Sequence, residues 1–229
     1  MSNKLSPLCC IKIAARGSQL SRVQVQEILQ ELQSYHPTYS FECSYVSTYG
    51  DRDHSISLRT LDKTDVFTRE VDQEVLSGRS RLGIHSAKDL PDPLTKGLKC
   101  IALTKGVDPR DSLVLRDPLA LKEGALIATS SLRREQLIQQ LYPYVRCQDI
   151  RGTIEERLRK MDAAEFDGMV MAEAALIRLK LHHVYRLTLP GEPAPLQGRL
   201  AVIARQEDQD MAELFSWAAP QEEMFRTSN

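Results

Sequence analysis

Two spacings of apolar residues alternate along this chain. Ile11-Lys12-Ile13-Ala14 predicts a first strand, and Phe41, Cys43 and Tyr45 alternate with polar residues as in a second. Between them Leu20, Val23, Ile28 and Leu32 recur at helical spacing, in a helix that ends before Pro37. Phe67, Val71 and Val75 mark one face of a short helix ending at Gly78. A third strand closes on Leu82 and Ile84, and 98–103 is a fourth. Residues 53–65 are polar, mixed in charge and without period, which predicts a mobile loop. Val107-Asp108-Pro109-Arg110-Asp111 breaks the pattern and marks a boundary. A second set follows: strands at 113–115, 126–128, 145–150 and 169–171, and helices opening at Thr129, Ile154 and Ala172. The Pro- and Gly-rich stretch 189–198 predicts a loop, 200–204 a last strand, and 211–218 a closing helix.

This βαβα alternation predicts parallel sheets with helices on their faces. The halves 11–103 and 108–191 each form one such unit, giving two lobes. The strand at 200–204 is free to cross back to the first lobe, making the connection a double hinge. Open α/β sheets place ligand chemistry beyond the carboxyl ends of their strands. The strand-end turns therefore hold the candidate residues.

Gly83-Ile84-His85-Ser86-Ala87-Lys88-Asp89-Leu90-Pro91 is the densest of these turns. Asp89, beside Lys88, suits a general acid or the stabiliser of a cation, and a salt bridge within the turn is equally open. His85 reads as a hydrogen-bonded structural histidine. Arg16, Arg133, Arg134, Arg151 and Arg157 sit at strand ends or helix starts, and Arg178 further along a helix. An arginine fork grips carboxylate or phosphate at two points. With Ser130, Ser131 and the amides of the helix they open, these arginines suit a ligand carrying several anions. Surface pairing with glutamates is the bland reading of any single one.

Bulk properties narrow the choice. The 229 residues are 42% hydrophobic and 27% charged, with a net charge of −1, an ordinary globular balance that argues against bulk nucleic-acid binding. Five cysteines lie scattered without a CxxC, which predicts free thiols, no zinc site and a cytoplasmic setting. No run approaches a membrane span or a signal peptide, and no metal site is expected. Phosphate-loop, GxSxG and HExxH motifs are not found.

The turns also resemble a known family. Ile13-Ala14-Ala15-Arg16-Gly17-Ser18, Thr48-Tyr49-Gly50-Asp51, His85-Ser86-Ala87-Lys88-Asp89-Leu90-Pro91, Asp108-Pro109-Arg110-Asp111, Thr129-Ser130-Ser131-Leu132-Arg133-Arg134, Ile150-Arg151-Gly152-Thr153 with Arg157, and Gln197-Gly198 are similar, in order, to porphobilinogen deaminases (hydroxymethylbilane synthases). The resemblance covers about 11–205. It implies condensation of four porphobilinogen molecules into hydroxymethylbilane with release of ammonia, on a dipyrromethane primer held by a cysteine. Asp89 matches the catalytic aspartate, which assists loss of the amino group and stabilises the azafulvenium cation. Arg16, Arg133, Arg134, Arg151, Arg157 and Arg178 would pair with acetate and propionate groups of porphobilinogen and the growing pyrrole chain. Ser18, Lys88, Thr129 and Ser130 would line the site, with Asp51 near it.

The implied fold is two-lobed α/β, like type II periplasmic binding proteins. Lobe 1 takes 11–103 and 198–219 with the catalytic aspartate, and lobe 2 takes 104–197 with the arginines. The chain departs from the family at Lys63-Thr64-Asp65-Val66-Phe67 and at Thr153, where the family has asparagine. It ends at Asn229, which predicts a short form in which 220–229 is a remnant leading to an absent third domain. That domain carries the family's cofactor cysteine, so the attachment residue is unknown here. Apolar surface left by its loss would be covered by self-association, with Phe215, Trp217 and Phe225 as candidates. A non-catalytic pyrrole- or polycarboxylate-binding protein of the same fold is the alternative reading.

Overall fold

The computed structural model describes residues 10–53 and 65–218. Most of the loop expected at 53–65, together with Cys9, Phe225 and the segment 220–229, lies outside these residues. The described chain forms two compact units, one around 10–49, 65–105 and 199–218, the other around 50–53 and 106–198.

The first unit is a five-stranded sheet in the order β2-β1-β3-β10-β4. Its strands are β1 (Cys10–Arg16), β2 (Ser40–Val46), β3 (Leu82–Ser86), β4 (Leu98–Leu103) and β10 (Leu200–Arg205). Helix α1 (Gln19–Tyr35) starts where Ser18 caps it, accepting from the Ser21 amide at 3.3 Å. Its stripe of Val25, Ile28 and Leu32 packs on Ile11, Ile13, Ala15, Leu82 and Ile84. Helix α7 (Gln209–Leu214) adds Met211 and Leu214 to the same core. Phe215 is fully buried there and Trp217 stacks on Tyr35 at 4.7 Å, so both pack within the unit. Helix α2 (Tyr49–Arg52) follows β2, and α3 (Arg69–Leu76) sets Val71 against Gly83 of β3, where an added Cβ would lie 3.1 Å from it.

The second unit repeats this winding in the order β7-β6-β8-β5-β9. Its strands are β5 (Asp111–Leu115), β6 (Leu126–Ala128), β7 (Arg146–Gln148), β8 (Gly168–Ala172) and β9 (Arg186–Thr188). Its helices are α4 (Leu132–Leu141), α5 (Ile154–Asp162) and α6 (Glu173–Arg178). Period-two alternation splits its core between the two faces. Leu113, Ile127 and Val170 meet Ile138 of α4, while Val114, Ala128, Met169 and Met171 meet Met161 of α5 and Leu176 of α6.

Three expectations need correction. Neither sheet is wholly parallel, because β10 runs antiparallel to β3 and β4, and β5 antiparallel to β8 and β9. Apolar runs read the same in either direction, so the pattern carried no sign of this. The strand expected over 145–150 pairs only through Arg146–Gln148, since Ile150 instead donates its amide to the Ser130 hydroxyl. A short edge strand, β9, precedes the loop at 189–198 and was not anticipated. The strand β10 does return to the first sheet, so the chain enters the second unit after Leu103 and leaves it again before β10, besides lending the short segment that begins at Gly50 to that unit.

Candidate functional site

In the first unit β1 leads to β2 on one side, and β2 leads on to β3 on the other side of β1. The carboxyl ends of β1 and β3 therefore flank the topological switch point, where such sheets open a crevice. Arg16-Gly17-Ser18 leaves one strand and Ala87-Lys88-Asp89 the other, as a single 3-10 turn. Arg16 lays its guanidinium over the Phe67 ring, 4.5 Å from the centroid. Lys88 is exposed and Asp89 half-buried.

The turn carrying Asp89 is held from several sides. The Ala87 amide donates to the Arg199 carbonyl at 3.0 Å, and Leu90 closes the turn onto the Ala87 carbonyl at 3.3 Å. Ser86 accepts from the Gln24 amide at 2.9 Å. On the opposite face of the sheet His85 is buried, its Nε2 3.2 Å from Asp72 Oδ1, while Asp72 Oδ2 accepts from the Thr95 hydroxyl at 2.6 Å. The burial fits a structural histidine, but Nε2 and Oδ1 meet without hydrogen-bond geometry, so the hydrogen bond expected of His85 is not made through this contact.

In the second unit the switch point lies between β6 and β8. Thr129, Ser130 and Ser131 follow β6, each already engaged. The Thr129 amide donates to the Gln148 carbonyl at 2.8 Å, Ser130 bonds the Ile150 carbonyl, and Ser131 caps α4 by accepting from the Arg134 amide at 3.5 Å. Arg133 and Arg134 then share one buried carboxylate, Asp111. Arg133 Nη2 is 2.5 Å from Oδ2, while Arg134 reaches Oδ1 at 2.7 Å through Nη2 and 3.1 Å through Nε. Gln197 adds a donor to Oδ1 at 2.9 Å and accepts from Arg134 Nη2 at 3.2 Å. Burial pushes the Asp111 carboxyl up, but the Arg134 charge and the bonds from Arg134, Arg133 and Gln197 outweigh it and hold the group below its ordinary value. The Arg133 side chain keeps 35% of its exposure, against 13% for Arg134, so it is the more open of the pair.

The other arginines predicted in this unit bond backbone carbonyls. Arg151 donates to the carbonyls of Gly50 at 2.9 Å and Asp53 at 3.2 Å, next to Asp51 in α2. Arg157 reaches the Gly152 carbonyl at 2.8 Å, below the capping box that Thr153 and Glu156 build at the start of α5. Arg178 is buried and donates to the Gly198 carbonyl at 2.9 Å, adjacent to Gln197. Thus Arg133 and Arg134 gather on Asp111 and Arg178 reaches the residue after Gln197, whereas Thr129 and Ser130 bond the carbonyls of Gln148 and Ile150. Arg16 and Ser18 lie on the turn after β1, and Lys88 and Asp89 on the turn after the neighbouring β3, in the other unit.

Three residues gained roles that pattern reading had not assigned: Gln24, Asp111 and Gln197. Asp111 and Gln197 stood in recognised motifs, yet spacing does not distinguish a buried carboxylate bridging two arginines from a solvated one. Gln24 sits in the apolar stripe of α1, and only the fold brings Ser86 to it.

The hydroxyls, helix-start amides and arginines of the second unit have the donor chemistry that a dipyrromethane's carboxylates require. A thiol anchor is not among them. Of the described cysteines, Cys10 begins β1, Cys43 and Cys100 lie within β2 and β4, and Cys147 is the middle residue of the short β7. Burial pushes the Cys100 thiol up to about 12, far from a nucleophilic thiolate. Among the described residues no group of three or more His, Cys, Asp or Glu is placed to hold a metal, and no helix is long and apolar enough to cross a membrane.

Comparison with known proteins agrees with the turn motifs. A family model described as porphobilinogen deaminase, dipyromethane cofactor binding domain, matches residues 11–213. A probable porphobilinogen deaminase of Chlamydia pneumoniae is 40% identical over 90% of this chain and 88% of that protein. The porphobilinogen deaminase of Blochmanniella pennsylvanica is 37% identical over 99% of this chain and 76% of its own length. That of Synechococcus elongatus is 36% identical over 91% and 68%. Among solved structures, an ancestral cationic amino acid solute binding protein aligns with a TM-score of 0.55 at 9% identity, covering 91% of this chain and 88% of that one. The extracellular-binding protein ytmK of Bacillus subtilis aligns with a TM-score of 0.52 at 11% identity, covering 92% and 90%. At such identities these structures show the fold alone, the two-lobed periplasmic-binding-protein-like class.

Proposed function

The chain belongs to the porphobilinogen deaminase family, and on that premise we propose that Asp89 carries its chemistry and that the arginine cluster of the second unit binds the substrate's carboxylates. The family's reaction makes it a transferase of tetrapyrrole biosynthesis, joining porphobilinogen units into hydroxymethylbilane. The observation that supports the site assignment is the placing of Asp89 at the carboxyl end of β3, on a turn fixed by Ser86, Ala87 and Leu90.

Each condensation breaks the bond to the aminomethyl nitrogen, which takes up a proton and leaves as ammonia. It forms a carbon–carbon bond at the free α-carbon of another pyrrole, whose displaced proton balances the one taken up. Positive charge develops on the pyrrole as the nitrogen departs. Asp89 accepts the pyrrole N–H and sets a carboxylate beside that charge, where partial exclusion of water strengthens the attraction. Arg16 and Lys88, on neighbouring turns of the same unit, take carboxylates of the reacting ring, and Ser18 lines the turn. Thr129, Ser130, Arg133 and Arg134 would hold the carboxylates of the dipyrromethane, with Arg151, Arg157 and Arg178 as further carboxylate partners and Asp51 as a further site residue. When bound, that group supplies the pyrrole to which the first substrate is joined.

We assign 11–103 with 198–219 to the catalytic lobe and 104–197 to the arginine-rich lobe. The partners are small pyrroles rather than nucleic acid or membrane, in keeping with a net charge of −1. The scattered cysteines support a reducing, cytoplasmic setting.

Purified protein incubated with porphobilinogen tests the reading. Tetrapyrrole product that cyclises to uroporphyrinogen is the expected outcome, and no product would sink it. Asp89→Asn is expected to lower turnover by about 10²-fold or more while pyrrole binding persists. Full activity in that variant would remove Asp89 from the mechanism.

A further inference from the structure

Helix α1 presents a mostly apolar stripe to the sheet, with Val25, Ile28 and Leu32 buried. Gln24 belongs to the buried face as well, at 5% exposure. An amide in that setting costs free energy unless it is bonded. Its Nε2 donates to Ser86 Oγ at 2.9 Å, joining α1 to the last residue of β3.

Ser86 occupies the N-cap position of the turn Ala87–Asp89, with extended backbone, but its hydroxyl makes no capping bond there. The hydroxyl is turned to Gln24 instead. The neighbouring residue, His85, is held against Asp72 on the other face of the sheet. The strand end is thus tied by a hydrogen bond on the α1 face one residue before the turn begins, with His85 buried against Asp72 on the other face. The Ala87 amide is fixed as well, on the Arg199 carbonyl. Asp89 stands at the end of that turn and is only half-buried, so its orientation is inherited from Ser86 and Ala87.

We propose that Gln24, acting through Ser86, is a positioning residue for Asp89. It touches no reacting atom. It fixes the strand end from which the turn departs, and thereby the direction of the carboxylate. This inference rests on the reading that Asp89 is catalytic. Misplacement by about 1 Å of a group aimed at developing charge costs on the order of 10²-fold in rate.

The test compares Ser86→Ala, Gln24→Met, the double variant and Ser86→Thr with the unaltered protein, reading kcat, KM for porphobilinogen and melting temperature. Each of Ser86→Ala and Gln24→Met is expected to lower kcat about tenfold or more, with KM little changed. In the double variant both partners are apolar, so no buried donor is stranded and the melting temperature recovers. The kcat stays low there, because the tie is still missing. Ser86→Thr keeps the hydroxyl and recovers most of kcat. Recovery of kcat together with melting temperature in the double variant would overturn the proposal, as would single variants with unchanged kcat. Asp89→Asn, run alongside, separates the two readings. If it is fully active the Asp89 assignment fails, whereas if it is inactive and the Gln24 and Ser86 variants turn over normally, only the positioning role fails.

Discussion

Asp111 and Arg134 are joined at two points, with Nη2 2.7 Å and Nε 3.1 Å from the same carboxylate oxygen, while the other oxygen holds Arg133. The carboxylate is buried, and a buried charge that loses its partner is costly. Asp111→Asn should therefore destabilise the protein by about 3–5 kcal/mol, read as a fall in the denaturation midpoint.

The same carboxyl gives a pH dependence. Its value is held below 3.8 in the folded protein, so the unfolded chain binds its proton more readily. The stabilisation is complete above the unfolded value and is lost as pH falls through the folded one. Melting temperature followed downward from about pH 5 should show this loss below about pH 4, and Asp111→Asn should flatten that part of the acid limb.

Gly198 adopts φ +87°, with the Val107 carbonyl oxygen 2.8 Å from the place a Cβ would occupy. Alanine there meets both backbone strain and a contact that no side-chain motion relieves. Gly198→Ala should cost about 1–3 kcal/mol, and an unchanged melting temperature would contradict the geometry.

Cys100 and Cys10 should differ in reactivity. Cys100 is buried in β4, its thiol raised to about 12 and donating to the Ala102 carbonyl at 3.2 Å, whereas Cys10 is exposed. Alkylation of the folded protein at pH 8 followed by peptide mass analysis should find Cys10 modified and Cys100 intact. Intact-mass measurement of the same preparation reads any dipyrromethane adduct, and Cys100 is not expected to carry it.

At the start of α5, Thr153 and Glu156 form a reciprocal cap, the Glu156 carboxylate accepting from the Thr153 amide at 2.7 Å. Thr153→Ala should lose about 1 kcal/mol. A loss of pyrrole affinity larger than the loss of stability would show that the cap also sets Arg157, which bonds the adjacent Gly152 carbonyl.

Local order was legible in the chain itself. Spacing of apolar residues located most of the strands and helices, because burial on one face imposes a period of two or 3.6 wherever an element packs. Ser18 and the turn hydroxyls announced helix starts for the same local reason, a short side chain meeting unbonded amides. The turn motifs, read together, led to the family. Strand direction was not legible, since β5 and β10 carry the same apolar pattern whichever way they run. Nor was partnership. That Asp111 would take both Arg133 and Arg134, that Gln24 would leave its apolar stripe for Ser86, and that Arg178 would be spent on the Gly198 carbonyl depend on residues between 20 and 62 positions apart. Such pairings are decided by which strand ends the sheet brings together, and only the tertiary structure contains that.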